Sequence, residues 1–217
     1  MARSCGVHRR NRDFRASLEA WVMNSPEIAL FLWINAGPET PAALVSFARY
    51  ASDWLPGLAI SFLVLAAAVR PGLRRACAQT LLTLLLAWIT ARLLRHGLAL
   101  PRPAELGLGT QWIRHAHDPG LPSLHATGAF ALAFALLDTR GRGALAAAAF
   151  TLAVVIAWSR LLLGVHFPSD VLAGAVVGAF AARMTSLLWA GAARTLSRHG
   201  TGVAGQQLKP PAASVGR

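Results

Sequence analysis

The chain has 217 residues, 55% of them hydrophobic and 14% charged, with a formal net charge of +12. Soluble domains carry about 25% charged residues, so this composition excludes an ordinary soluble enzyme and belongs to an all-α, polytopic membrane protein. The cations are almost all arginine, with Lys209 the sole lysine, and they lie at the ends of apolar runs rather than along one soluble face. That pattern reads as membrane topology with anionic lipid or phosphate, and not as nucleic-acid binding.

Residues 1–16 form a basic cytosolic leader, with five arginines by Arg15. Glu19, Asn24, Pro26 and Glu27 interrupt the next stretch, so a signal peptide is excluded. Residues 17–36 are a weakly apolar helix candidate broken by Pro26. Residues 42–52 read as an amphipathic helix in the membrane interface.

Five clear transmembrane helices come next, each near the roughly 20 residues a crossing requires. They cover residues 54–69, 76–94, 122–137, 144–158 and 168–189. A sixth, N-terminal crossing within 17–50 is left open by the marginal sequence there. Residues 17–190 thus make one membrane domain. The Gly-, Pro- and Ala-rich tail, 191–217, is expected to be disordered. Nothing in the chain repeats.

Loop charges set the orientation. The turns at 70–75 and 138–143 and the tail share one side if the spans alternate. They carry Arg70, Arg74, Arg75, Arg140, Arg142, Arg194 and Arg198, which places that side in the cytoplasm. Segments 95–121 and 160–167 then face outward, and the site faces the periplasm or exterior of the cytoplasmic (inner) membrane. Cys5 and Cys77 fall on the cytosolic side and make no disulfide framework.

The polar residues that membranes disfavour gather on the outer side. Arg95, Arg102 and Arg160 can each hold phosphate through a planar, permanently charged fork. Pro122 suits the first position of a helix, which would leave the backbone N–H groups of Ser123, Leu124 and His125 free for an anion. His166 and Asp170 stand four apart across Pro168, so the carboxylate can orient the imidazole and leave its other nitrogen as a nucleophile. His115 and His117 suggest a metal clip, but a metal site needs three or four converging ligands. No metal or other cofactor is therefore expected, and His115 is a candidate contact to a second phosphate. His96 reads as a rim residue.

The ordered set Arg95-x6-Arg102-Pro103, Pro122-Ser123-Leu124-His125 and Ser159-Arg160-x5-His166-x3-Asp170 resembles the three-part signature of the type 2 phosphatidic acid phosphatase superfamily, which also contains vanadium haloperoxidases. Ile34-Asn35, the 41–50 stretch and His115-Ala116-His117-Asp118 resemble its undecaprenyl-diphosphatase branch. The resemblance implies a membrane lipid phosphatase. In it His166 becomes a phosphohistidine, Asp170 orients His166, and His125 serves as acid and then base. Arg95, Arg102, Ser123 and Arg160 would hold the phosphoryl oxygens. The implied substrate is undecaprenyl diphosphate, with phosphatidic acid, phosphatidylglycerol phosphate or a lipid A phosphate as alternatives. The partners are the bilayer and its lipid phosphate; the oligomeric state is not set.

Two positions depart from the signature. Arg95 stands where lysine is usual, and Leu124 where glycine or aspartate is usual. Leu124 keeps alive a reading from another class, a non-catalytic protein that only binds lipid phosphate. The hydrophobic spans argue against a soluble haloperoxidase.

Overall fold

The computed structural model describes residues 25–114, 118–137 and 143–206, with side chains to residue 192. The leader, His115, His117, the arginines of the 138–142 turn and residues 207–217 lie outside the described residues. Among those described there are seven α-helices and no strand: α1 (Pro26–Ile34), α2 (Ala42–Asp53), α3 (Leu55–Val69), α4 (Arg74–Leu98), α5 (Leu124–Leu137), α6 (Gly143–Leu162) and α7 (Pro168–Gln206). The all-helical expectation holds.

The count of crossings is smaller than the hydropathy pattern suggests. Three segments are long and apolar enough to span a membrane: Pro71–Leu106, Gly143–Leu162 and Pro168–Ala192. Helices α2 and α3 pass together as one pair bent by 40°. The 14 residues of α5 reach about 21 Å, short of a hydrocarbon core roughly 30 Å thick. Of the helix candidate at 17–36, where a sixth crossing was left open, the described residues form only the nine-residue α1. Pro26 does not break that helix. It occupies the first turn, where its missing N–H costs nothing, and Ser25 caps it by accepting from Ile28 N at 3.3 Å.

Helix ends also shift, for local reasons. Between Gly143 and Gly164 nothing stops a helix, so α6 runs on through Leu162 and carries Ser159 and Arg160 in its last turns; the span was expected to end at Trp158, with Arg160 in the loop that follows. Similarly α4 continues through Arg95 to Leu98 and stops where Ala99 turns left-handed (φ 46°), its N–H capping Arg95 O. Residues 191–206 are helical rather than disordered, because no proline comes after Pro168 until Pro210.

Helices α5 and α7 meet at backbone distance. A Cβ at Gly174 would lie 3.0 Å from both Ser123 O and Thr127 N, and one at Gly178 would lie 2.7 Å from Ala131 N. Only glycine permits this approach, the small-residue packing that membrane helices use. Ala87, Ala131 and Ala181 fill the neighbouring α4–α5–α7 seam. Since α5 starts just after Ser123 and α7 starts just before Asp170, close packing of the two helices sets those candidate site residues side by side.

Candidate active site

His166 lies in the turn between α6 and α7 and is 1% exposed. Its Nδ1 is 3.0 Å from Asp170 Oδ2, an i,i+4 pair across the start of α7. The same carboxylate oxygen accepts Phe167 N–H at 2.9 Å. On the other side of the ring, Arg102 Nη1 stands 3.3 Å from Nε2. A guanidinium only donates, so Nε2 must carry the lone pair and Nδ1 the proton, which goes to Asp170. The partners thus assign the tautomer. It leaves the lone pair of Nε2 facing Arg102.

Arg102 is 3% exposed and heavily committed. Nε donates to Asp118 O at 2.7 Å and Nη1 to Val165 O at 2.9 Å, and its backbone N–H donates to Glu105 Oε2 at 3.1 Å. Nη2 has no hydrogen-bond partner among the described residues. Nor does the Oγ of Ser123, which is 0% exposed. Leaving a buried donor unpaired costs about 1–3 kcal/mol, more when it is charged. Two such groups, one of them on the guanidinium that meets the His166 ring, suit a seat for an anion.

The remaining cations frame this seat. Arg95, in the last turn of α4, donates from Nε to Pro122 O at 3.0 Å. Arg160 is 1% exposed and donates from Nη1 to Ser52 Oγ. The charges of Arg95, Arg102 and Arg160 are close enough to act on one another. Three buried guanidinium groups repel unless an anion lies among them. Gly120 lets the loop fold over this cluster, since a Cβ there would sit 3.1 Å from Asp170 Oδ2.

One expectation needs correction. Helix α5 begins at Leu124, not Pro122, and the Ser123 N–H is not free: it donates to Asp170 O at 2.9 Å. Ser123 can therefore reach an anion through its hydroxyl rather than its backbone. His125 stands on the first turn of α5, half-buried. With Leu124 and Trp88 it lines an apolar cleft of about 420 Å³ between α3, α4, α5 and α6. The Leu124 side chain thus points along this apolar wall. His115 lies outside the described residues. Among those described, no group of three or more His, Cys, Asp or Glu could hold a metal ion.

Several contributors escaped the sequence. Ser52 holds Arg160, the Asp118 and Val165 carbonyls hold Arg102, and Glu105 ties the Arg102 backbone. Ser52-Asp53, a polar pair between two apolar stretches, was the one signal that could have exposed the first of these.

The model of the PAP2 superfamily matches residues 76–193, which contain every charged side chain of this cluster. The chain belongs to the PAP2 superfamily. It is 31% identical over 175 residues to the Escherichia coli K12 protein named "Putative undecaprenyl-diphosphatase YbjG", covering 77% of this chain and 85% of that one. It is 35% identical over 115 residues to the lipid A 1-phosphatase of Rhizobium etli, covering 50% of this chain and 48% of the relative. The crystal structure of Aquifex aeolicus LpxE superposes with a TM-score of 0.61 at 25% identity, over 74% of this chain and 94% of LpxE. With its apolar helices, this PAP2 protein is a membrane protein of a lipid phosphatase family.

Proposed function

We propose that this PAP2 protein hydrolyses a lipid diphosphate at the outer face of the cytoplasmic membrane through a phosphohistidine, without a metal ion. The reading is carried by Arg102, whose Nη1 stands 3.3 Å from His166 Nε2 while its buried Nη2 has no partner among the described residues, and by the buried Ser123 Oγ, which likewise has none. In this mechanism Arg95, Arg102, Arg160 and the Ser123 hydroxyl hold the phosphoryl oxygens, where charge spreads in the transition state. His166 Nε2 attacks phosphorus as the bond to the leaving oxygen breaks. Asp170 keeps the proton on Nδ1 and stabilises the charge that forms on the ring. His125 protonates the leaving oxygen. It then takes a proton from water, which attacks the phosphohistidine to release phosphate and restore His166.

Undecaprenyl diphosphate is the preferred substrate, because the undecaprenyl-diphosphatase relative aligns over most of its own length whereas the lipid A 1-phosphatase aligns over about half. A lipid A phosphate is the second reading, favoured by the 35% identity to the lipid A 1-phosphatase of Rhizobium etli. For the site to face outward, the bent α2–α3 pair and the short α5 complete a five-crossing bundle, and the basic turns stay in the cytoplasm.

Purified protein in detergent should release phosphate from undecaprenyl diphosphate faster than from phosphatidic acid, phosphatidylglycerol phosphate or lipid A, with chelator present. Faster release from lipid A would replace the substrate assignment. Binding without release from any of them would leave a phosphate-binding membrane protein.

A further inference from the structure

We propose that the segment 27–52, which lies wholly outside the family-matched residues 76–193, is a positioning frame for the phosphatase centre, acting through Glu27, Asn35 and Ser52. The proposal rests on the function given above. Each of these side chains ends on a different piece of the catalytic apparatus, and none of them faces the anion seat.

Asn35 is the centre of the frame. It closes the C-terminus of α1, its backbone N–H bonded to Phe31 O. Its Oδ1 accepts Thr110 N–H at 2.6 Å, while Nδ2 donates to Thr110 O and to Leu162 O, both at 3.0 Å. Both amide hydrogens are used, and they join three segments far apart in sequence. Two glycines make room for the knot. Gly109 and Gly164 both have positive φ, of 67° and 73°, and a Cβ at Gly164 would lie 2.9 Å from Asn35 Nδ2 as well as against Thr110 O. The backbone alongside is tied too. Ala36 N donates to Leu162 O at 2.9 Å, and Trp112 Nε1 donates to Ala36 O at 2.7 Å.

The knot immobilises the turn that carries His166. Leu162 ends α6, Gly164 turns the chain, and Val165 O then receives Arg102 Nη1 one residue before His166. Shifting that turn moves the nucleophile and the orientation of Arg102 together.

Glu27 acts on the other side of His166. Its Oε1 accepts Ser169 N–H at 2.9 Å, in the first turn of α7, where a carboxylate satisfies an otherwise orphan donor and favours the helix dipole. Asp170 is the next residue. Phe31, from the same short helix, packs edge-on against Phe167 at 5.4 Å between ring centroids. Ser52 serves the third piece, accepting Arg160 Nη1 from within the bundle; both residues are buried. A catalytic geometry displaced by about 1 Å can lose about 100-fold in rate, so distant contacts of this kind show in turnover.

The test uses full-length protein with Asn35→Asp, Glu27→Ala, Glu27→Gln and Ser52→Ala. Asn35→Asp is nearly isosteric but sets a carboxylate against two carbonyl oxygens. Phosphate release from the lipid that the wild type cleaves is measured well below each variant's melting temperature. Inorganic phosphate binding is measured by its shift of that temperature. Asn35→Asp should lower kcat about tenfold or more with KM within about twofold. Glu27→Ala should lower kcat about fivefold, and Glu27→Gln, which keeps the acceptor, should restore most of it. Ser52→Ala should raise KM and weaken phosphate binding about fivefold. Variants that melt earlier yet keep wild-type kcat, KM and phosphate affinity would reduce the frame to ordinary packing and overturn the proposal. If the wild type releases no phosphate at all, the assigned activity falls by itself. Phosphate binding then still decides the frame: weakening by Ser52→Ala supports it, and unchanged binding in that variant removes it.

Discussion

Helix α7 and helix α3 are both apolar, yet they are built for opposite purposes. Along α7, Gly174 and Gly178 bring its backbone against α5, and Val171, Val177, Ala181 and Ala182 are all buried. Along α3, Leu63 alone is buried, and Phe62 is 64% exposed. A second apolar cleft, of about 700 Å³, opens between α3 and the helices behind it, with Leu58, Phe62, Leu136 and Leu145 in its walls. The closely packed pair holds the candidate site residues Ser123 and Asp170 at one end; α3 holds none. Where residues must be kept within tenths of an ångström for chemistry, the bundle uses backbone-to-backbone contact. Along α3 it leaves an apolar gap instead.

The largest expected effect lies at the head of the α5–α7 pair. His166→Ala should lower phosphate release on the order of 10⁴-fold, since the attacking atom itself is gone. Arg102→Lys should cost about 100-fold: the ammonium keeps the charge but cannot reach Asp118 O, Val165 O and the anion together. Both are read in a phosphate-release assay, and wild-type turnover in either would detach this geometry from the chemistry.

Stability separates the two regions next. Gly178→Leu must force a side chain into Ala131 N and Thr127 O, and should destabilise by about 3 kcal/mol in a detergent melting series. Phe62→Ala on α3 should stay within about 0.5 kcal/mol, as exposed positions do. Comparable losses from both would erase the contrast. The smallest effect is chelation, which should leave turnover unchanged, because guanidinium groups neutralise the phosphoryl charge in the proposed mechanism. Loss of activity with chelator would call for a metal at the same seat.

Much of the site was legible because membranes make it so. Arg95, Arg102, Arg160, His166 and Asp170 stand out in an apolar sequence, and their spacing matched a known signature before any packing was considered. Arg102, His166 and Asp170 are joined by direct contacts, and Arg95 and Arg160 join through their charges. The misleading signals were local. Pro122 advertised a helix start that the chain delays to Leu124, because the Ser123 N–H finds Asp170 O instead. Arg160 looked like a loop residue because it comes at the end of a hydrophobic run, but a helix has no reason to end before Gly164.

The sequence by itself determined that this chain lives in a bilayer, that its backbone is helical, and that arginine and imidazole groups lie near the ends of the same apolar segments. Those are consequences of composition and of spacing along one strand of chain. Only the tertiary structure decided which groups touch. Asn35 meets Leu162 across 127 residues of sequence and Ser52 meets Arg160 across 108, and no periodicity encodes such pairs. They exist because the end of α6 leaves a helix-terminal carbonyl, Leu162 O, and a buried guanidinium, Arg160, whose partners must come from elsewhere in the chain.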